Sequence, residues 1–177
     1  MPKINKEKSD EFIKAYEEYA DAIFRHFYFR AGGSKELAKD LLQDVFIKTW
    51  SFIAKGGKVK NFRPFLYKTA NNLLIDYYRK KKRIPVSLDN LKEKGIEPRL
   101  SIKEEKYSSF DAEKIREVVN TLKPIIYRDI VIMHYIDELS ITETAKLLNI
   151  SENAVYVRVH RAIKKLTKIL KKYERDF

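Results

Sequence analysis

Apolar residues recur at helical spacing through most of this chain. Between residues 10 and 29 they fall at Phe12, Ala15, Tyr16, Tyr19, Ile23 and Phe27, an interval that gathers side chains on one helix face. Gly32 and Gly33 stop that helix, and Ser34 caps a second one. Along it follow Leu37, Leu41, Val45, Ile47 or Lys48, and Phe52; Leu41, Val45, Thr49 and Phe52 are expected to face inward. Gly56 and Gly57 end this helix, and a basic KVKN loop follows. Pro64 suits the first turn of a third helix, where a missing N–H costs little. That helix runs through Phe65, Leu66, Thr69, Ala70, Leu73, Leu74 and Tyr77 to the basic run Arg79 to Arg83. From residue 84 to about 108 the pattern breaks; Pro85, Gly95 and Pro98 sit among mixed charges, as in a linker. Further helices are predicted at about 110–121, 124–136, 141–148 and 151–172. The expected fold is all-α, with two helical domains at 1–83 and 110–177 joined by a flexible linker at 84–109.

The last two predicted helices form a unit. Ser140-Ile-Thr-Glu143 fits a capping box, in which serine and glutamate each satisfy an orphan N–H. The short helix buries Ile141, Ala145 and Leu148; Asn149 tolerates the left-handed backbone of a sharp turn, and Ser151 caps the next helix. Two helices joined in this way make a helix-turn-helix. Val155, Val159, Ala162 and Leu166 form the inward stripe of the second helix. The opposite face carries Asn153, Tyr156, Val157, His160, Arg161 and Lys164, polar groups of the kind that meet base edges in a major groove. Arg158, Lys165 and Lys168 flank that face, placed for phosphates. Pattern alone leaves a structural hairpin with a solvated basic face as the competing reading.

Charge shifts the balance. The 177 residues carry a formal net charge of +12, which favours a polyanionic partner through counterion release. No segment sets a bulky apolar face against a basic one as membrane-surface helices do, and no apolar run is long enough to span a bilayer. The N-terminal MPKINKEKSDEF has no apolar core, so no signal peptide is expected and a cytoplasmic location is the default. There is no Cys, hence no disulfide framework or thiolate metal site. His26, His134 and His160 are scattered, His134 among apolar neighbours as a core residue. With no phosphate-gripping loop and no ligand cluster, no catalytic residue, metal or cofactor is expected, and the chain does not read as an enzyme.

DLLQDVFIKTW, residues 40 to 50, stands out against the basic background. Asp40, Gln43, Asp44 and Ile47 or Lys48 share one surface, a mixed acidic and apolar face that suits a protein partner. By composition alone, an ordinary solvated helix face is the favoured account of it.

Three stretches resemble a known family in its own order. DLLQDVFIKTW resembles the core-polymerase-binding helix of bacterial sigma factors. NFRPFLYKTANNLLIDYYRKKKR, residues 61 to 83, resembles the promoter-opening helix that follows it, with F-R-x-[WF]-L-Y and A-x-N-x-x-x-D-x-x-R elements. LKPIIYRDIVIMHYIDELSITETAKLLNISENAVYVRVHRAIKKL, residues 122 to 166, is similar to the fourth sigma region. A short linker with no third domain is the arrangement of the extracytoplasmic-function (ECF) group of sigma-70-type factors.

The resemblance implies a set of roles. Asp40, Gln43, Asp44, Phe46, Ile47 and Trp50 would meet the clamp helices of the polymerase's largest subunit, although for Trp50 the core is the favoured place. The C-terminal domain would meet the polymerase flap. Lys58, Lys60, Asn61 and Phe62 would shape a pocket for the flipped base of the −10 element, approached by Asn72. Arg63, Tyr67, Lys68 and Arg79 would line the strand path, although Tyr67, Tyr77 and Tyr78 also suit a core or its rim. Ser151, Asn153, Tyr156, Val157, Arg158, His160, Arg161, Lys164 and Lys165 would read the −35 element. Many relatives carry Lys or Arg where this chain has Tyr156, so direct guanine readout there is lost. Glu104 and Glu105 would form an acidic patch, able to mimic nucleic acid, in a linker passing near the active centre, with a plain solvated tether an equally good reading. Promoter DNA, core RNA polymerase and an anti-sigma protein are the implied partners. A helix-turn-helix repressor with a dimerising N-terminal half, and a basic RNA-binding or structural protein, are the competing readings.

Overall fold

The computed structural model describes residues 6–83 and 110–175, and every regular element among them is helical. The expected linker at 84–109 lies outside the described residues. In the N-terminal half, α1 (Lys6–Arg30), α2 (Lys35–Ala54) and α3 (Phe62–Arg83) pack pairwise on one another. Gly32 and Gly33, both at positive φ, turn the chain out of α1, and the Ser34 hydroxyl accepts from the Leu37 N–H to open α2. Asn61 Oδ1 accepts from the Arg63 N–H at the entry to α3.

The C-terminal half holds α4 (Phe110–Asn120), α5 (Ile125–Val131), α6 (Ile141–Leu148) and α7 (Glu152–Arg175). The helix expected at 124–136 is interrupted: α5 gives way to a π-helical turn at Ile132–Ile136, closed by the Asp137 N–H on the Ile132 carbonyl at 2.9 Å. The wider turn keeps Ile132 and Met133 buried while bringing the Asp137 side chain to the same side. The predicted capping box is formed: Ser140 Oγ accepts from Glu143 N at 3.1 Å, and Glu143 Oε2 accepts from Ser140 N at 2.8 Å. Burial alone would raise the Glu143 carboxyl. The Ser140 backbone and hydroxyl donors, with Arg63 beside them, outweigh that and hold it below the usual carboxylate range. Asn149 takes the left-handed conformation at the turn, and Ser151 caps α7 through Ala154 N.

A small core of Ile130, Ala145 and Val155 holds α5, α6 and α7 together. The main core does not stop at the boundary between halves. Ile23, Phe27, Leu42, Val45, Leu66 and Leu74 are continuous with Val131, Ile132, Met133 and Leu139. Each such fully buried side chain contributes roughly 1.5–3 kcal/mol, so the two halves close on each other chiefly by apolar burial. His134 is half-buried and bonds through Nδ1 to the Leu139 carbonyl at 2.8 Å, fixing the end of the π turn.

Candidate nucleic-acid and partner interfaces

The face of α7 is set by its own periodicity. Val155 and Ala162 are fully buried, which forces Asn153, Tyr156, His160, Arg161 and Lys164 to solvent and leaves Val157 at the edge. Tyr156 is 67% exposed, a large aromatic with little of its surface covered by its own fold. Arg158 folds back on the Ala154 carbonyl at 3.2 Å, and with Arg161 it borders a groove floored by Pro124, Ile126, Tyr127 and Val157. Lys165 bonds to the Lys123 carbonyl at 2.8 Å and sits over the Tyr127 ring, so its ammonium is held toward α5. Ser151 is exposed, with its oxygen committed to the helix cap.

On α2, Asp40, Asp44 and Lys48 are exposed, Gln43 is half-buried, and Ile47 is 61% exposed among them. Phe46 departs from expectation. Read as a partner contact, it is buried in the core, its ring edge-on to Tyr16 at 4.7 Å and Phe12 at 6.0 Å. Because α2 lies against both α1 and α3, its buried face is wide enough to take Val45 and Phe46 together. Trp50 is half-buried and tilted on Phe12 at 4.9 Å. Phe52, expected inward, is 43% exposed; its ring stacks obliquely on Phe65 and covers Gly57, where a Cβ would come within 2.4 Å of it.

Around α3, Lys58, Lys60, Asn61, Lys68 and Asn72 are exposed and Phe62 is half-buried. The loop carrying Lys60, Asn61 and Phe62 faces Glu18 and Tyr19 of α1 across a groove. Arg79 is exposed and paired with Asp76 at 2.9 Å. Tyr67 is a second correction. Read as lining a strand path, with the core as its other reading, it takes the core place: it is 2% exposed and packed edge-on to His26 at 5.3 Å. Burial, then the nearby Asp137 carboxylate, push its phenol well above the ordinary tyrosine range. Tyr77 and Tyr78 are half-buried, and the Tyr78 hydroxyl donates to the Arg30 carbonyl.

The sequence reading missed a buried polar cluster between the halves. His26 and Asp137 meet at 2.6 Å, and both are fully buried. Arg30 approaches His26 Nε2 at 3.1 Å, donates to Asn71 Oδ1 at 2.9 Å and reaches Asp129 Oδ2 at 3.2 Å. A guanidinium only donates, so His26 Nε2 accepts from it and Nδ1–H points at Asp137. Asn71 also donates to the Leu147 carbonyl at 3.3 Å. The signal available in the sequence was His26 and Arg30 one helical turn apart on an otherwise apolar stretch, HFYFR.

Comparison with known proteins agrees with this geometry. The description "Sigma-70 region 2" matches residues 15–84, and "Sigma-70, region 4" matches residues 112–166. The chain is a sigma-70-type factor, a protein of transcription initiation. It belongs to the ECF group: it is 31% identical to the ECF RNA polymerase sigma factor SigW of Bacillus subtilis, over 97% of this chain and 95% of that protein. The ECF sigma factor SigM of the same organism is 29% identical over 85% of this chain and 91% of its own length. Two solved structures share the fold. CnrH, in complex with the cytosolic domain of CnrY, gives a TM-score of 0.65 at 19% identity, covering 93% of this chain and 90% of that one. RpoE of Bartonella quintana, in complex with the anti-sigma factor NepR, gives 0.65 at 20%, covering 94% and 98%. Among the described residues, no helix is long and apolar enough to cross a membrane.

Proposed function

We propose that residues 1–83 and 110–177 act as two promoter-engaging units of one initiation factor, the first bound to core RNA polymerase. The observation that carries this is the chemical contrast between two exposed helix faces. On α2, Asp40, Asp44 and Ile47 offer acid beside a bare aliphatic group, which suits a cationic protein surface. On α7, Arg161 and Lys164 offer cations beside Tyr156 and His160, which suits DNA. Gln43 and part of Trp50 extend the first surface toward the clamp of the largest subunit. Lys58, Lys60, Asn61, Phe62, Lys68 and Asn72 form the −10 surface, with Arg63 and Arg79 beside them. Ser151, Asn153, Val157, Arg158 and Lys165 complete the −35 surface. Exposed clusters of this kind are also what an anti-sigma protein would cover, and the C-terminal unit would meet the polymerase flap.

Anisotropy of a labelled duplex carrying −35 and −10 elements tests the reading. Core and chain together should bind it tightly and selectively, while the chain alone should bind weakly. Tight binding by the chain alone, as a dimer on a palindrome, would favour a helix-turn-helix repressor instead.

Two substitutions separate the roles. Arg161→Ala should cost about 1–3 kcal/mol of discrimination at one base pair near −35. A uniform loss across all promoter variants would make Arg161 a phosphate contact. Asn72→Ala should reduce permanganate-reactive opening several-fold more than it weakens the gel-shifted complex; equal losses would contradict a flipped-base role.

A further inference from the structure

We propose, resting on the sigma-factor reading above, that Ile75 is a wedge for promoter opening: its side chain enters the base step beside the flipped −10 base and holds that step apart. Lys68, Asn72, Ile75 and Arg79 fall within about 60° of arc on α3, at roughly 100° per residue. All four are exposed, and Ile75 is 49% exposed. It is the one apolar group in an otherwise polar stripe. A single exposed aliphatic residue is ordinary on a protein surface. This one stands between Asn72, which approaches the flipped base in that reading, and cations suited to phosphates.

Spacing along α3 places the wedge. From Asn72 to Ile75 the helix advances about 4.5 Å, against ~3.4 Å between stacked bases. A side chain that far along meets the step next to the base that Asn72 meets. Arg79, Lys80 and Lys81 follow, all exposed. Arg79 is braced by Asp76 at 2.9 Å, and Asp76 lies off the stripe, roughly 100° round the helix from Ile75. Three cations in a row suit duplex, whose phosphate charge is about twice as dense as that of a single strand. Intact duplex therefore lies on the Arg79 side of Ile75, and the melted strand on the side of Asn72 and Lys68. Ile75 falls at the junction.

The side chain has the chemistry for that place. A flipped base leaves a gap in the stack, and the gap closes again unless something fills it. A polar group there would leave donors or acceptors unpaired between base faces, whereas an aliphatic group has none to lose. Isoleucine is branched at Cβ and holds essentially one χ1 rotamer in a helix. Its bulk is therefore already placed, and insertion costs little rotamer freedom. Because Ile75 is half exposed in the fold, truncating it leaves the helix packing intact.

The test combines core polymerase, the full chain and a promoter carrying 2-aminopurine at the step beside the flipped base, where its fluorescence rises on unstacking. Ile75→Ala should slow that rise about tenfold while weakening the gel-shifted closed complex far less. Ile75→Leu, which restores the bulk, should recover most of the rate. On a template mismatched through the −10 region no step has to be opened, and there the Ala variant should transcribe like the parent. Far-UV circular dichroism checks that helix content is kept. Equal losses in binding and opening, or a defect that persists on the mismatched template, would make Ile75 an ordinary strand contact and overturn the wedge. An Ala variant that opens duplex as fast as the parent also overturns it, while the parent's own opening leaves the sigma-factor reading standing. A parent chain that gives no core-dependent opening removes both.

Discussion

Phe46→Ala is expected to lower the free energy of unfolding by about 3–5 kcal/mol, read from urea titration by circular dichroism. The side chain is 5% exposed and meets Tyr16 and Phe12 edge-on, so truncation removes buried area, two aromatic contacts and the filling of a core site. Its neighbour Ile47 is 61% exposed, and Ile47→Ala should shift stability by no more than about 0.5 kcal/mol while weakening core capture. The two adjacent residues therefore separate fold from function. A Phe46→Ala protein of near-normal stability that fails to capture core would return Phe46 to the partner surface.

Asp44→Arg should reduce capture by core polymerase about a hundredfold or more, roughly 2.7 kcal/mol, with helix content unchanged. Asp44 is exposed on the same face as Asp40 and Ile47, so the acid is available to a partner. Reversing its charge sets cation against cation wherever the partner surface is basic, and the penalty grows as the interface sheds water. Quantitative pull-down of core by the variant and the parent chain measures it. Equal capture by both would remove α2 from the polymerase contact.

Local features of the fold were legible. The first helix, expected from residue 10 to 29, spans Lys6–Arg30, and the short helix expected at 141–148 is Ile141–Leu148 with its capping box formed. These depend on periodicity and on caps within one turn, which a single sequence carries. Phe46 and Tyr67 were misplaced for a shared reason. Each follows another buried residue, Val45 or Leu66, and adjacent pairs face inward only where a helix is packed on more than one side. α2 lies against both α1 and α3, and α3 lies against α1, α2 and α6. That is tertiary information.

The closure of the halves was illegible for the same reason. His26 and Asp137 are 111 residues apart, and no local pattern ties one to the other. The π turn that delivers Asp137 to His26 also left no mark, since IVIMHYI reads as unbroken helix. The exposed faces of α2 and α7 were visible early because exposure is the complement of periodic burial. Arg63 was read as lining the strand path, yet Glu138 and Glu143 of the other half engage it.

Run-off transcription with purified core RNA polymerase, with and without this chain, tests the central claim most directly. On a template with suitably spaced −10 and −35 elements, the chain should yield a discrete transcript that core alone does not make, and Asp44→Arg should abolish it. No transcript above core alone on any such template, from a chain whose helices are intact, would contradict the account.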